Sequence, residues 1–148
     1  EPSPTPTLTP IPQTCSVPES EPNDTFRQIP GPMIDCPEVV IEGTFTNDSV
    51  EANGNYYDSY LFVMETAGSV TIGLSNVPAG HNYDLFIRER VPVGVDAFNE
   101  ESETGQRGEG EQLSYPNLPA GQYYISVENA DIDAGASDQP YRLTIRKN

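Results

Sequence analysis

The stretch LPAGQYYISVE, residues 118–128, decides the fold class of this chain, because it joins a turn to an alternating strand. Its first four residues contain a proline and a glycine, which suit a turn. In the residues that follow, Tyr123, Ile125 and Val127 are expected on one face of an extended strand, with Tyr124 on the other face. A period of two residues predicts a half-buried β-strand.

The same alternation extends on both sides of this stretch. From residue 39 onward, short alternating runs are separated by turns, and the turn VPAG at 77–80 nearly repeats LPAG at 118–121. Seven to eight such strands predict an all-β fold, a sandwich of two antiparallel sheets that each keep one polar face. The other apolar positions expected to face the core are Val39, Ile41, Phe45, Tyr60, Phe62, Met64, Val70, Ile72, Leu74, Leu85, Ile87, Leu113, Tyr115, Tyr141, Leu143 and Ile145.

Composition excludes several functional classes. The 148 residues include 23 acidic residues, 7 Lys and Arg, 15 prolines and a single histidine, and the formal net charge is −16. So many prolines exclude a helical bundle or coiled coil. The negative charge repels phosphate backbones and argues against nucleic acid as a partner. No run of about 18 apolar residues exists, so no membrane insertion is predicted. A single histidine excludes the HExxH metalloproteases and the zinc fingers.

The two ends of the chain differ in composition. Residues 1–17 are interpreted as a Pro/Thr-rich linker and residues 18–148 as the β-sandwich domain. The first 14 residues hold five prolines and four threonines, which favour extended polyproline-II backbone and are typical of spacers between modules. Because the chain starts at Glu1 without an export signal, we interpret it as a mature or excised part of a larger secreted protein.

Cys15 and Cys36 are the only cysteines, and they are predicted to form a disulfide. Neither has the basic or helix-terminal surroundings that make a thiolate reactive. A zinc site would need more ligands than the distant His81 supplies. The disulfide predicts an oxidising compartment, so the protein is expected to be secreted or at the cell surface.

No catalytic constellation stands out in the sequence. His81 lies in a polar turn, and no GxSxG motif presents a serine. A glycosidase-type carboxylate pair stays open as an alternative, but Glu100, Glu101 and Glu103 lie in a hydrophilic loop that is more typical of a solvated connection. The chain is therefore predicted not to be an enzyme.

An acidic segment is the candidate metal site. The sequence ESEPND places three carboxylates and an amide within six residues. Alternate residues of an extended chain point the same way, so Glu19, Glu21 and Asn23 can converge on one ion, with Asp24 added at the turn. Oxygen ligands without nitrogen or sulfur favour Ca²⁺. Asp58, from the body of the domain, is the candidate that completes the shell; the alternative is a solvated acidic segment.

Taken in order, these residues resemble the bacterial pre-peptidase C-terminal domain over residues 18–147. The E-x-E-P-N-D-T segment of that family corresponds to residues 19–25. The remaining matches are Gly43, Phe45, Asp58, Tyr60, Phe62, Asp84, Leu85, Ile87, Leu118, Gly121, Tyr123, Tyr124, Ile125, Val127, Tyr141, Leu143 and Ile145. The resemblance implies a jelly-roll-like β-sandwich found beside secreted peptidases and in bacterial surface proteins, with the collagen-binding domains of clostridial collagenases as relatives.

The resemblance also implies that Glu19, Glu21, Asn23 and Asp24 occupy calcium-binding positions. The chain departs from the family pattern at Tyr56, where an aspartate is usual, and the cysteine pair is not a general family feature. A disulfide that takes over part of the role of calcium therefore stays open as an alternative.

These observations lead to one function hypothesis and one alternative. The hypothesis is a non-catalytic accessory module of a secreted bacterial peptidase or surface protein, calcium-stabilised, joined to a catalytic domain and binding an extracellular protein or polysaccharide. Tyr124 and Tyr57 are its candidate binding surface, because flat aromatic rings stack on sugars or polyproline-II chains. A cross-strand aromatic pair on a solvated sheet is the plainer interpretation of these tyrosines. The alternative function is a structural or maturation module that assists export and has no ligand.

Overall fold

Strands make up most of the described chain. The structure, a computed structural model, describes residues 13–19, 36–45, 56–90, 99–102, 106–135 and 137–148. The strands are β1 (Thr14–Pro18), β2 (Glu38–Gly43), β3 (Tyr56–Met64), β4 (Gly68–Ser75), β5 (Tyr83–Glu89), β6 (Asn99–Ser102), β7 (Glu111–Leu118), β8 (Gly121–Asn129) and β9 (Tyr141–Lys147). A 3-10 turn, Ile132–Ala134, precedes β9. Within these ranges no helix has the length and apolar character needed to cross a membrane.

Two sheets pack into a sandwich, which confirms the predicted fold class. The five-stranded sheet has the order β1-β2-β9-β4-β7, and the four-stranded sheet has the order β3-β8-β5-β6. The nine described strands exceed the expected seven to eight because β1 and β6 are short and lie in segments interpreted as linker and hydrophilic loop. Residues 14–17 thus pair in the sheet although they lie within the 1–17 segment assigned to the linker.

One strand pair departs from the antiparallel expectation. β1 runs parallel to β2, with Cys15 opposite Val39 and Pro18 opposite Glu42. All the other described pairs are antiparallel. A long segment separates β1 from β2, and such a connection lets the chain return in the same direction.

The core lies between the two sheets and is built from the alternating positions of the strands. All the positions expected from the sequence are buried except Tyr115, which is partly buried and packs against the core. An irregularity in the β4–β7 register, between Gly68 and Val70, falls beside Tyr115. The extra residue in β7 shifts the inward alternation at that point.

Candidate functional site

A disulfide fastens β1 to the start of β2. Cys15 bonds to Cys36, as the sequence predicts, and their Cα atoms are 6.2 Å apart. Glu19 follows β1 directly, and its carboxylate lies over Gly43 at the end of β2. The disulfide and the parallel register together place Glu19 beside the end of β2.

Glu19 ends in a buried set of oxygen atoms that we call the carboxylate–tyrosine cluster: Glu19, Asp58, Tyr60 and Tyr141. The Tyr60 hydroxyl donates to Glu19 Oε1 at 3.1 Å and lies 2.7 Å from the Tyr141 hydroxyl. The Tyr141 hydroxyl donates to Asp58 Oδ2 at 2.6 Å. The Thr44 backbone N–H donates to Glu19 Oε2 at 2.8 Å. Asp58 and Tyr141 are fully buried, so the cluster lies inside the sandwich.

Gly43 makes room for this cluster. A Cβ atom at this position would overlap the Tyr141 hydroxyl and would lie 2.7 Å from Glu19 Oε1. No side chain larger than hydrogen fits without moving a buried tyrosine ring or the carboxylate. Glycine is therefore required here for close approach.

Both hydroxyls of the cluster are protonated at neutral pH, and burial extends this protonation to higher pH. Burial raises the pKa of Tyr141 well above its ordinary value. Electrostatic interactions with Tyr60, Asp58 and Glu19 raise it further. Burial also raises the pKa of Tyr60, with Asp58 and Glu19 adding to the effect. Each hydroxyl thus brings one hydrogen to the cluster.

The two hydrogens must serve three oxygen–oxygen contacts. One lies between Tyr141 and Asp58, and the other can lie between Tyr60 and Glu19 or between Tyr60 and Tyr141. With both carboxylates ionised, one contact is left without a hydrogen. A cation draws such oxygens together, and Glu19 Oε1 has a lone pair beyond its one described hydrogen bond. The oxygen-only donor set fits Ca²⁺.

The predicted metal ligands are partly brought together. Glu19 and Asp58 meet in the cluster, whereas Glu21, Asn23 and Asp24 lie outside the described residues. Within the described ranges, no group of three or more His, Cys, Asp and Glu side chains surrounds a common point. The calcium site stays a prediction. Sequence reasoning missed the tyrosine hydroxyls as the link, although a tyrosine at a core position signals a buried partner for its hydroxyl.

The second candidate site is the outer side of the four-stranded sheet, which we call the aromatic face. Its aromatic residues are Tyr57, Phe86 and Tyr124, and all three are half-buried. Tyr124 on β8 lies between Leu61 of β3 and Arg88 of β5 in the strand register. The structure thus places both predicted tyrosines on the outside of one sheet.

Two serines form the middle of the aromatic face. Ser59 and Ser126 lie opposite each other on β3 and β8, with their hydroxyl oxygens 2.8 Å apart. Above them, the rings of Tyr57 and Phe86 meet edge to face, with centroids 6.4 Å apart. The serines are small enough for these rings, which come from the two strands that flank β8, to approach over it.

The outer side of the five-stranded sheet is different. Arg142 pairs with Glu42 at 3.5 Å, and Arg146 pairs with Glu38 at 2.9 Å, across the β2–β9 pair. Among the described outward positions of this sheet none is aromatic, and most of those on β1, β4 and β7 are Ser, Thr, Gly or Gln. The two sheets therefore present chemically distinct surfaces.

His81 lies in the turn before β5. Its backbone N–H donates to the Pro78 carbonyl at 2.9 Å. Its ring packs edge to face with the Tyr83 ring, and the two ring centroids are 5.6 Å apart. Neither ring nitrogen has a hydrogen-bond partner in the described part of the chain. No described hydroxyl is therefore paired with this imidazole as a nucleophile.

Comparison with protein-family models and with curated proteins gives no match. Solved structures do show the same architecture. The pre-peptidase C-terminal domain of a collagenase from Bacillus anthracis matches with a TM-score of 0.53 and 14% identity, over 94% of this chain and 100% of that domain. The chain has the fold of a pre-peptidase C-terminal domain. The fold that the sequence resemblance implies is thereby confirmed.

A second solved structure with this architecture is the Yersinia pseudotuberculosis-derived mitogen. It matches with a TM-score of 0.52 and 13% identity, over 75% of this chain and 86% of that protein. Both similarities concern the fold alone.

Proposed function

We propose that the chain is a non-catalytic accessory module of a secreted bacterial peptidase or surface protein, and that it binds an extracellular polysaccharide or protein through the aromatic face. The observation that carries the proposal is the difference between the two outer surfaces. Tyr57, Phe86 and Tyr124 cluster on one sheet, while the other sheet presents small polar residues and ion pairs.

Aromatic residues on an outer sheet face favour binding for a physical reason. Each ring offers a large apolar surface with few rotatable bonds, so little conformational entropy is lost when a partner covers it. A partner that covers the rings therefore gains apolar contact at a low entropic cost.

The fold and the disulfide support the cellular setting of the proposal. A domain with this fold belongs to a collagenase, which agrees with a module joined to a peptidase. The Cys15–Cys36 disulfide suits a protein that acts in an oxidising compartment.

Retention on insoluble polymers tests the binding proposal. The chain would be incubated with collagen, chitin, cellulose and peptidoglycan, and the bound fraction measured by sedimentation. We expect retention on one of them to fall about tenfold or more in Tyr124→Ala, because a buried aromatic contact contributes over 1 kcal/mol. Thr144→Ala, on the outer side of β9, is the matched control and should retain binding. Absence of retention on every polymer would favour the structural or maturation module.

We further propose that Ca²⁺ binds at the carboxylate–tyrosine cluster, held by Glu19 and Asp58 together with Glu21, Asn23 and Asp24. The oxygen-only donors and the contact without a hydrogen support this assignment. When bound, the ion supplies charge compensation for clustered carboxylates, which otherwise repel one another. Its role is then to stabilise the fold.

Thermal unfolding in EDTA and in millimolar calcium tests the calcium proposal. For a Kd of about 10 μM, 1 mM calcium adds about 2.7 kcal/mol to the free energy of unfolding, a Tm increase of several degrees. Glu21→Ala should remove most of that increase. Glu65 is exposed just beyond the end of β3, remote from Asp58, so Glu65→Ala should keep the increase in Tm. Equal Tm values in EDTA and calcium would mean that the disulfide has replaced the metal.

A further inference from the structure

Arg90 has an unusual environment at one end of the aromatic face. Its backbone N–H donates to the Gln122 carbonyl at 2.7 Å, and its Nη1 donates to the Gln122 side-chain oxygen at 3.1 Å. Arg90 is exposed and lies just after β5, beside the end of β8. Its guanidinium is therefore oriented by a neighbour that carries no charge.

Acidic residues, the usual partners of an arginine, far outnumber basic residues in this chain. It contains 23 acidic residues against 7 Lys and Arg. Arg107 pairs with Asp131, and Arg142 and Arg146 pair with glutamates of β2. Within the described part of the chain, Arg90 makes no ion pair. Its guanidinium is thus oriented by Gln122, and no described carboxylate neutralises its charge. Such a group suits recognition of an external anion.

The groups around Arg90 combine charge with an aromatic ring. Arg88 lies two residues earlier on the same face, about 7 Å away along the strand, and it is exposed as well. Tyr124 lies directly opposite Arg88 on β8, and Gln122 lies opposite Val63 of β3. In the strand register, the half-buried Tyr124 thus has one arginine directly opposite it and a second beside the preceding outward residue of β8.

We propose that this end of the aromatic face, formed by Arg88, Arg90, Gln122 and Tyr124, binds an acidic polysaccharide whose sugars carry carboxylates. The inference rests on the proposed function and names its ligand class. A sugar ring stacks on Tyr124 while its carboxylate pairs with the guanidinium of Arg90. A carboxylate attached to the sugar ring stays close to the stacked surface, whereas an acidic peptide carries its charge on a flexible side chain.

The acidity of the rest of the molecule sharpens this recognition. With a formal net charge of −16, most of the surface repels an anionic polymer. Binding is then confined to the place where positive charge and an aromatic ring coincide. It also depends strongly on salt, because exposed charges are screened over about 10 Å at 0.1 M ionic strength.

Binding of the whole 148-residue chain to polygalacturonate tests the inference. Affinity would be measured by isothermal titration calorimetry at low and high salt, for the wild type, Arg90→Gln and Arg146→Gln. We expect Arg90→Gln to bind about tenfold more weakly and to lose part of the salt dependence, as for loss of one charge-assisted pair. Arg146→Gln removes the same charge from the other sheet and should bind as the wild type does. Equal Tm values for the variants would exclude unfolding as the cause.

Four further polymers separate the possible outcomes. Uncharged dextran and poly-glutamate should bind at least tenfold more weakly than polygalacturonate, and dextran sulfate should bind less tightly than the carboxylated polymer. Equal affinity of the wild type and Arg90→Gln for polygalacturonate, or stronger binding of poly-glutamate or dextran sulfate, would overturn the inference. Tyr124-dependent retention on collagen without binding of polygalacturonate would overturn it and leave the proposed function intact. Loss of binding to every polymer would overturn both.

Discussion

At the residue scale, the carboxylate–tyrosine cluster joins the two sheets through hydrogen bonds. Asp58 and Tyr60 belong to β3 of the four-stranded sheet, while Tyr141 belongs to β9 of the five-stranded sheet. The 2.6 Å bond from Tyr141 to Asp58 crosses the core and ends on a fully buried carboxylate. A hydrogen bond to a charged group contributes about 1.5–3 kcal/mol, and a buried charge deprived of a donor costs more than a neutral one.

Tyr141→Phe tests this cross-sheet bond. We expect the free energy of unfolding to fall by about 2–3 kcal/mol, because Asp58 loses the Tyr141 donor inside the core. Tyr60→Phe should cost less, since Glu19 keeps the Thr44 backbone N–H. Urea unfolding followed by circular dichroism measures both. Tyr124→Phe, on the aromatic face, should be near neutral; a loss as large as that of Tyr141→Phe would contradict the assignment.

Gly43→Ala tests the close approach that the cluster requires. The new methyl group would overlap the Tyr141 hydroxyl, so we expect the free energy of unfolding to fall by about 1–3 kcal/mol. Gly73→Ala, in β4, is the matched control, because a Cβ atom at that position would have none of the neighbouring heavy atoms within 4 Å. Since glycine weakens a strand, Gly73→Ala should be neutral or raise the free energy by up to about 1 kcal/mol. Equal effects of the two substitutions in urea would contradict the steric argument.

At the element scale, β1 depends on the disulfide more than the other strands do. It is a five-residue edge strand with one parallel neighbour, and its residues are half-buried at most. Parallel pairing is slightly less stable per residue than antiparallel pairing. The Cys15–Cys36 bond closes the loop between β1 and β2 and keeps Glu19 near Tyr60.

Replacement of both cysteines by serine tests this dependence. We expect the free energy of unfolding to fall by about 3 kcal/mol, as for a disulfide that closes a loop of about 20 residues. Amide hydrogen exchange should also show a local effect, with β1 losing protection while β9, in the middle of the five-stranded sheet, retains it. Unchanged protection of β1 would show that its pairing with β2 suffices.

Elements with a clear local period were predictable, and those without one were not. The alternation around Ile125 and Ile145 was sufficient to predict strands, their buried faces and the outward position of Tyr124. β1 was missed because its alternation spans only five residues beside a proline-rich segment. The tyrosine links between Glu19 and Asp58 were not predicted, because they join residues 41 to 83 positions apart and pairings of that range leave no local pattern.

At the scale of the whole molecule, the two sheets share one core but have different outer faces. The inner faces share one core, and buried tyrosines are a prominent part of it. One outer face carries paired charges and small polar residues, while the other carries aromatic rings. Because the buried tyrosines resist ionisation, the free energy of unfolding is expected to fall as the pH rises in the alkaline range.

Alkaline unfolding tests that expectation. Among the described residues, burial raises the pKa of Tyr60, Tyr83, Tyr123 and Tyr141. Below pH 10 both states keep these protons, so this contribution to stability is fully present. Above pH 10 the unfolded chain releases protons that the folded chain retains, and the free energy of unfolding falls by about 1.4 kcal/mol per pH unit for each tyrosine.

Absorbance at the phenolate band and circular dichroism, recorded together during an alkaline titration, measure this effect. We expect Tyr60, Tyr83, Tyr123 and Tyr141 to ionise only as the strands unfold, at a pH above 10. Tyr141→Phe should reduce the pH dependence of stability above pH 10, because one of the shifted groups is gone. Ionisation of all eight tyrosines near pH 10 with an unchanged strand signal would mean that solvent reaches these hydroxyls in the folded protein.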